Sequence, residues 1–155
     1  MLYFSTSGSC WDFNYLSDEE VCTWNNGKRA TNYSESLVAV GAYCVEGGES
    51  IGTVALVENK LRGPLPWELV LLTSLEVMDF GLNSLTGSIP TQIIDLTNLK
   101  VFSVYSNSLT GSIPVGISEL TRLEAFYASE NVHMEASFRW TSGKKFWLAR
   151  AGIGE

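Results

Sequence analysis

A period of 24 residues runs through the middle of the chain and constrains its fold more than any other feature. Leu75, Leu99 and Leu123 stand 24 apart, with Ile51 one period earlier. The same spacing links Val54, Met78, Phe102 and Phe126, then Leu56, Phe80, Val104 and Ala128, then Asn59, Asn83, Asn107 and Asn131. It continues through Leu61, Leu85 and Leu109, through Gly63, Gly87 and Gly111, and through Pro66, Pro90 and Pro114. Two copies share the string Asn-Ser-Leu-Thr-Gly-Ser-Ile-Pro, at 83–90 and 107–114. Self-similarity at a fixed period of this length denotes one supersecondary unit stacked on copies of itself, because a single unit cannot bury its apolar face alone.

Each position in the unit has a physical duty. Met78-Asp79-Phe80 and Phe102-Ser103-Val104 alternate apolar and polar, the pattern of a strand with one buried face. An Asn entering the core where the chain leaves the strand offers both a carbonyl and an amide to satisfy turn backbone groups, so Asn59, Asn83, Asn107 and Asn131 are expected to form a ladder. Gly63, Gly87 and Gly111 permit positive φ or close approach. The Pro that follows removes a donor and fixes φ, which suits an irregular or edge-like convex segment. Leu69 to Leu72 and its equivalents then form a short helical or 3₁₀ turn. A helix bundle is excluded, because Gly and Pro recur inside every unit.

The unit L-x-x-L-x-L-x-x-N-x-L-x-G-x-I-P-x-x-I-x-x-L-x-x resembles the plant-type, extracellular class of leucine-rich repeats, found in receptor-like kinases, receptor-like proteins and polygalacturonase-inhibitor proteins, with algal and diatom relatives. The resemblance implies an α/β solenoid of 24-residue repeats, with a parallel concave β-sheet and short helical or 3₁₀ turns on the convex side. It divides the chain into an N-terminal cap at 1–50, repeats at 51–131 (three full, the fourth partial) and a divergent C-terminal tail or cap at 132–155. Trp11, Leu16-Ser17-Asp18, Cys22-Thr23-Trp24 and Cys44 are similar to that family's N-terminal cap. The similarity implies a Cys22–Cys44 disulfide, although 21 residues separate the two where the family has only a few. Such a bridge contributes about 3 kcal/mol in the chain-entropy model. Cys10 is left over; it either replaces Cys22 or pairs with a cysteine outside this sequence, and three free thiols in a reducing compartment is the remaining alternative. Asn32-Tyr33-Ser34 is an N-glycosylation sequon, with Asn32 as acceptor.

Charge excludes one class of partner. The net charge is −7, and it is uneven: residues 1–131 hold 6 Lys/Arg against 15 Asp/Glu, whereas 132–155 hold 4 against 2. An acidic body repels phosphate backbones, so nucleic acid is rejected as the main partner. The longest uncharged apolar stretch, Leu37 to Val45, is nine residues and contains Gly41, so no membrane span is expected where about 20 residues are needed. Met1-Leu2-Tyr3-Phe4 passes directly to Ser5-Thr6-Ser7-Gly8 without a basic region or an apolar core. Either the protein is cytoplasmic or the chain begins downstream of its true start. The tail, with Phe138, Trp140, Phe146 and Trp147, reads as an unusual cap, as an artefact of the gene model, or as a membrane-contacting segment.

Binding is the expected activity. Strand residues pointing away from the core form columns: Gly52, Glu76, Lys100, Glu124; Ala55, Asp79, Ser103, Tyr127; Val57, Gly81, Tyr105, Ser129; and Glu58, Leu82, Ser106, Glu130. Exposed Tyr105, Tyr127 and Leu82 beside Asp79, with Glu76, Lys100 and Ser103, make the candidate surface, since Tyr supplies contact area at low entropic cost. The expected ligand is a protein, a peptide or a glycan, held at the cell surface or outside the cell. A structural or adhesion role, or a fragment of a receptor kinase ectodomain, is the alternative. The Thr86/Thr110 and Ser88/Ser112 rows are too few for an ice-binding array. An enzyme is not expected. The one histidine, His133, lies where the register has decayed, and Cys10, Cys22 and Cys44 lack metal-site spacing. With no phosphate-cradling loop either, neither cofactor nor metal is expected.

Overall fold

Each rung begins with three extended residues whose middle member is large and apolar, and the rungs pair edge to edge. The computed structural model describes residues 25–29, 39–45, 50–131, 133–135 and 145–147. Strands β1 (Asn25–Arg29), β2 (Ala39–Cys44) and β3 (Ile51–Ala55) are followed by β4 (Arg62–Pro64), β5 (Val77–Asp79) and β6 (Ser84–Gly87). Then come β7 (Val101–Ser103), β8 (Ser108–Ser112), β9 (Ala125–Tyr127), β10 (His133–Glu135) and β11 (Lys145–Trp147). Two sheets result among the described residues, a seven-stranded one in the order β1-β2-β3-β5-β7-β9-β11 and a four-stranded one in the order β10-β8-β6-β4. β2 is antiparallel to both β1 and β3, so the N-terminal edge of the stack is closed by a different pairing from the parallel ladder that follows.

Register repeats the period. Val77, Met78 and Asp79 lie opposite Val101, Phe102 and Ser103, which lie opposite Ala125, Phe126 and Tyr127. Met78, Phe102 and Phe126 are therefore one fully buried column, and the Phe102 and Phe126 rings stack with centroids 5.2 Å apart at 21°. Leu75, Leu99 and Leu123 form a second such column, and Leu56, Phe80, Val104 and Ala128 a third.

The segments around Gly87 and Gly111 form a regular second sheet. Leu85 and Leu109 are buried while Ser84, Thr86, Ser108 and Thr110 are exposed, which is strand alternation. One apolar residue between two hydroxyl residues is too short a pattern to be read as a strand from sequence. Gly63, Gly87 and Gly111 lie within or at the end of these strands with φ of 86°, 74° and 74°, where a Cβ is disfavoured. Pro66, Pro90 and Pro114 then initiate three 3₁₀ helices, η1 (Trp67–Leu71), η2 (Thr91–Asp95) and η3 (Val115–Glu119). Successive i→i+3 bonds run from the Leu69 N–H to the Pro66 carbonyl, from Leu72 to Leu69 and from Leu75 to Leu72, at 3.2, 3.1 and 2.9 Å. The turn thereby delivers the chain to the first leucine of the next rung.

Both sheets continue past residue 131, where the leucine register ends. β10 pairs in parallel with β8, His133 opposite Thr110 at a separation of 23, and Met134 is buried in the core. β11 pairs in parallel with β9, Lys145 opposite Ala125 at a separation of 20. The tail thus adds a shortened rung with a changed spacing, which a search for a strict 24-residue period cannot register.

Candidate functional site

The Asn ladder holds the rungs in place beneath the candidate surface. The Asn107 side-chain amide donates to the carbonyls of Phe80, Val104 and Tyr105 at 2.9, 3.1 and 3.1 Å, and its Oδ1 accepts the Leu85 N–H at 2.9 Å. Asn131 repeats this with Val104, Ala128, Ser129 and Leu109. Asn83 donates to Leu56, Phe80 and Gly81 and accepts from the Asn59 and Leu61 N–H groups, with Asn59 fully buried in the same column. The Asn83, Asn107 and Asn131 side chains each bond both their own turn and the preceding one.

Preceding each ladder Asn is a residue with left-handed backbone: Glu58, Leu82, Ser106 and Glu130, at φ between 51° and 57°. These positions turn the chain out of the sheet and place their side chains at its rim. Leu82 is 39% exposed there.

On the inner face, alternation sends Met78, Phe102 and Phe126 inward to the core and Asp79, Ser103 and Tyr127 to the opposite side, on three adjacent strands. The expectation that Tyr127 is exposed is not met: Asp79, Ser103 and Tyr127 are 6%, 0% and 8% exposed. Close neighbours in this narrow sheet cover one another. Tyr105 lies across Gly81, where a Cβ would overlap its ring. The missing side chain of one rung is filled by the aromatic side chain of the next.

The Asp79 carboxylate accepts the Gly81 N–H at 3.0 Å. Burial pushes its pKa above the usual carboxylate value, while the neighbouring Ser103 hydroxyl and the Gly81 N–H pull it part of the way back. Ser103 Oγ is close enough to act on Asp79 but makes no hydrogen bond of ordinary geometry. The Tyr127 phenol is raised by its own burial and then by the negative charge of Asp79.

At the start of the strands, Lys100 Nζ and Glu76 Oε2 form an ion pair at 2.8 Å with both side chains well exposed, so it contributes at most about 1 kcal/mol. A column omitted from the expected surface lies beside these residues: Thr53, Val77, Val101 and Ala125 are half-buried at the strand position two before Ala55, Asp79, Ser103 and Tyr127. Period-2 spacing from Asp79 places Val77 on the same side, but its apolar character suggests core. The expected Cys22–Cys44 bridge and the Asn32 acceptor lie outside the described residues, apart from the Cys44 backbone in β2. Among the described residues there is no group of three or more His, Cys, Asp or Glu able to hold a metal ion, and no helix is long and apolar enough to cross a membrane.

Parallel strands at 24-residue offsets, 3₁₀ turns behind Pro and an Asn ladder define a leucine-rich-repeat solenoid, and its repeats are similar to those of plant receptor ectodomains. The leucine-rich-repeat family model matches residues 98–120. Among solved structures, that of PEPR1-AtPEP1 is similar at a TM-score of 0.53 and 26% identity, over 56% of this chain and 12% of that one. The ectodomain of the plant membrane receptor kinase GASSHO1/SCHENGEN3 from Arabidopsis thaliana, in complex with CASPARIAN STRIP INTEGRITY FACTOR 2, is similar at 0.50 and 26% identity, over 59% of this chain and 14% of that one. A plant ice-binding protein shares the fold at 0.56 and 19% identity, over 83% of this chain and 45% of that one. The chain therefore spans a small part of the receptors it is similar to. No curated protein matches the sequence.

Proposed function

We propose that this chain is a non-enzymatic recognition module that binds a protein or peptide through the inner face of its seven-stranded sheet, at the cell surface or outside the cell. One contrast within the chain carries the reading. The core columns stay apolar at every rung, as in Leu75/Leu99/Leu123 and Leu56/Phe80/Val104/Ala128, whereas the inner-face columns change chemistry from rung to rung, as in Ala55/Asp79/Ser103/Tyr127 and Val57/Gly81/Tyr105/Ser129. Packing requires repetition in the core; nothing in the fold requires variety on the face, and variety is what discriminates one ligand from another. The receptor ectodomain solved with CASPARIAN STRIP INTEGRITY FACTOR 2 supports a polypeptide ligand.

Leu82 and Tyr105 are the residues to test, because both present surface, whereas truncating buried Tyr127 would also open a cavity. A peptide selected by display against the protein should lose about tenfold or more in affinity to the Leu82→Ser, Tyr105→Ala double variant, roughly 1.4 kcal/mol. Unchanged affinity in a variant that melts like wild type would reject the inner face. The second reading, a repetitive adhesion surface, rests on the second sheet, where Ser84/Ser108 and Thr86/Thr110 repeat and are exposed. A Thr86→Val, Thr110→Val variant that loses binding while the inner-face variant keeps it would favour that reading instead.

A further inference from the structure

We infer that Asp79, Ser103 and Tyr127 form a slot on the inner face that receives a cationic group, the ammonium or guanidinium of a lysine or arginine in a bound polypeptide. The inference rests on the recognition reading above and adds the chemistry of one subsite.

The slot is electrostatically incomplete. Asp79 is buried beside the Ser103 hydroxyl, yet among the described residues its carboxylate accepts one hydrogen bond of ordinary geometry, from the Gly81 N–H, and forms no ion pair. An ionised carboxylate has room for about four acceptor contacts. A buried charge left unpaired is costly, and folded chains normally supply a cation or neutralise the group. Among the described residues none is supplied. β3 presents Ala55, β7 presents Ser103, β9 presents Tyr127 and the adjoining turns present Gly81 and Tyr105. Lys100 is engaged with Glu76 at the start of the strands.

The second observation is Ser103. Its hydroxyl is fully buried against Asp79 and, among the described residues, makes no hydrogen bond of ordinary geometry, an uncommon state for a buried polar group. It lies in register between Asp79 and Tyr127, and Tyr127 is close enough for the Asp79 charge to oppose its ionisation. Three oxygens, one of them charged, thus occupy one row across adjacent strands. A cation entering the row receives one charge-assisted bond from Asp79 and completes the coordination of Ser103. The wall of the slot is the half-buried Tyr105 ring lying over Gly81.

The test uses the full chain, isotope-labelled, with arginine amide, lysine amide and neutral citrulline amide as probes. Arginine amide or lysine amide, raised to about 100 mM to reach weak fragment affinity, should shift the Gly81 amide resonance saturably, because that N–H bonds Asp79. Citrulline amide should not, and Asp79→Asn should abolish the response. A response of one cation alone identifies which side chain the slot takes. Equal shifts from citrulline amide, a response surviving in Asp79→Asn, or none from either cation would overturn the slot. Stability gives an independent readout: Asp79→Asn should melt at or above the wild-type temperature at pH 7, and a clear fall would make the carboxylate structural. If a selected peptide depends on Leu82 and Tyr105 yet binds Asp79→Asn within about twofold of wild type, the slot fails and the recognition reading stands. If peptide binding ignores all three positions, that reading fails.

Discussion

Asp79 shows how a residue's neighbours decide its chemistry. Burial raises its pKa above that of an unfolded aspartate, with Ser103 and the Gly81 N–H opposing. A group whose folded pKa is raised lends stability when protonated and loses it as pH rises through the folded value. Asp79→Asn, which keeps an acceptor for Gly81 without the charge, should therefore be more stable than wild type at neutral pH. That advantage should shrink as the pH falls through the acid range, as read by thermal melts of both proteins across pH 4–8. Gly111 poses a different question, strain against crowding. Its φ is 74°, but a Cβ there would meet Ser88 Cβ at an ordinary 3.6 Å. Gly111→Ala should cost about 1–2 kcal/mol from the left-handed backbone alone, and Gly111→Asn less, because Asn tolerates that region better; denaturant titration of the two variants checks the order.

Among the elements, the Asn ladder outweighs any surface pair. Removing the Asn107 amide takes one of two donors from each of the Phe80, Val104 and Tyr105 carbonyls and leaves the Leu85 N–H without its acceptor. Asn107→Ala should cost about 2–4 kcal/mol, since several buried groups each lose a partner, whereas Lys100→Ala should cost about 1 kcal/mol or less. Equilibrium unfolding of both variants checks the ratio. The ladder and its spacing were legible in the sequence, because the Asn recurs at a fixed place in every unit. The second sheet was not, since β6 and β8 each carry one buried leucine between exposed hydroxyl residues. Nor were β10 and β11, whose pairing runs at offsets of 23 and 20; a backbone ladder needs adjacency and extended conformation, not a repeated side chain.

Over the whole molecule, each rung contacts chiefly its neighbours, so stability is a sum of rung and interface terms and protection is graded along the stack. β7 lies at the middle of the parallel ladder, flanked by β5 and β9, while β1 is an edge strand. Hydrogen exchange should be slowest at Val101–Ser103 and faster at Asn25–Arg29, measured residue by residue under native conditions. A uniform rate would indicate one cooperative unit without gradation. The acidic charge of the chain favours encounter with a cationic partner over long range, in keeping with the slot at Asp79.

The 24-residue period by itself determined the class of fold, the identity of the core columns and the ladder, because burial and hydrogen bonding must be satisfied anew in every rung by the same residue types. Which inner-face residues are open to a partner was decided only in three dimensions. Tyr127 and Asp79 carry the chemistry of a surface site, yet neighbours on adjacent strands cover them, and Tyr105 occupies the space that Gly81 leaves. Exposure belongs to the packing of side chains across strands, and a one-dimensional register holds no record of which neighbour leans over which.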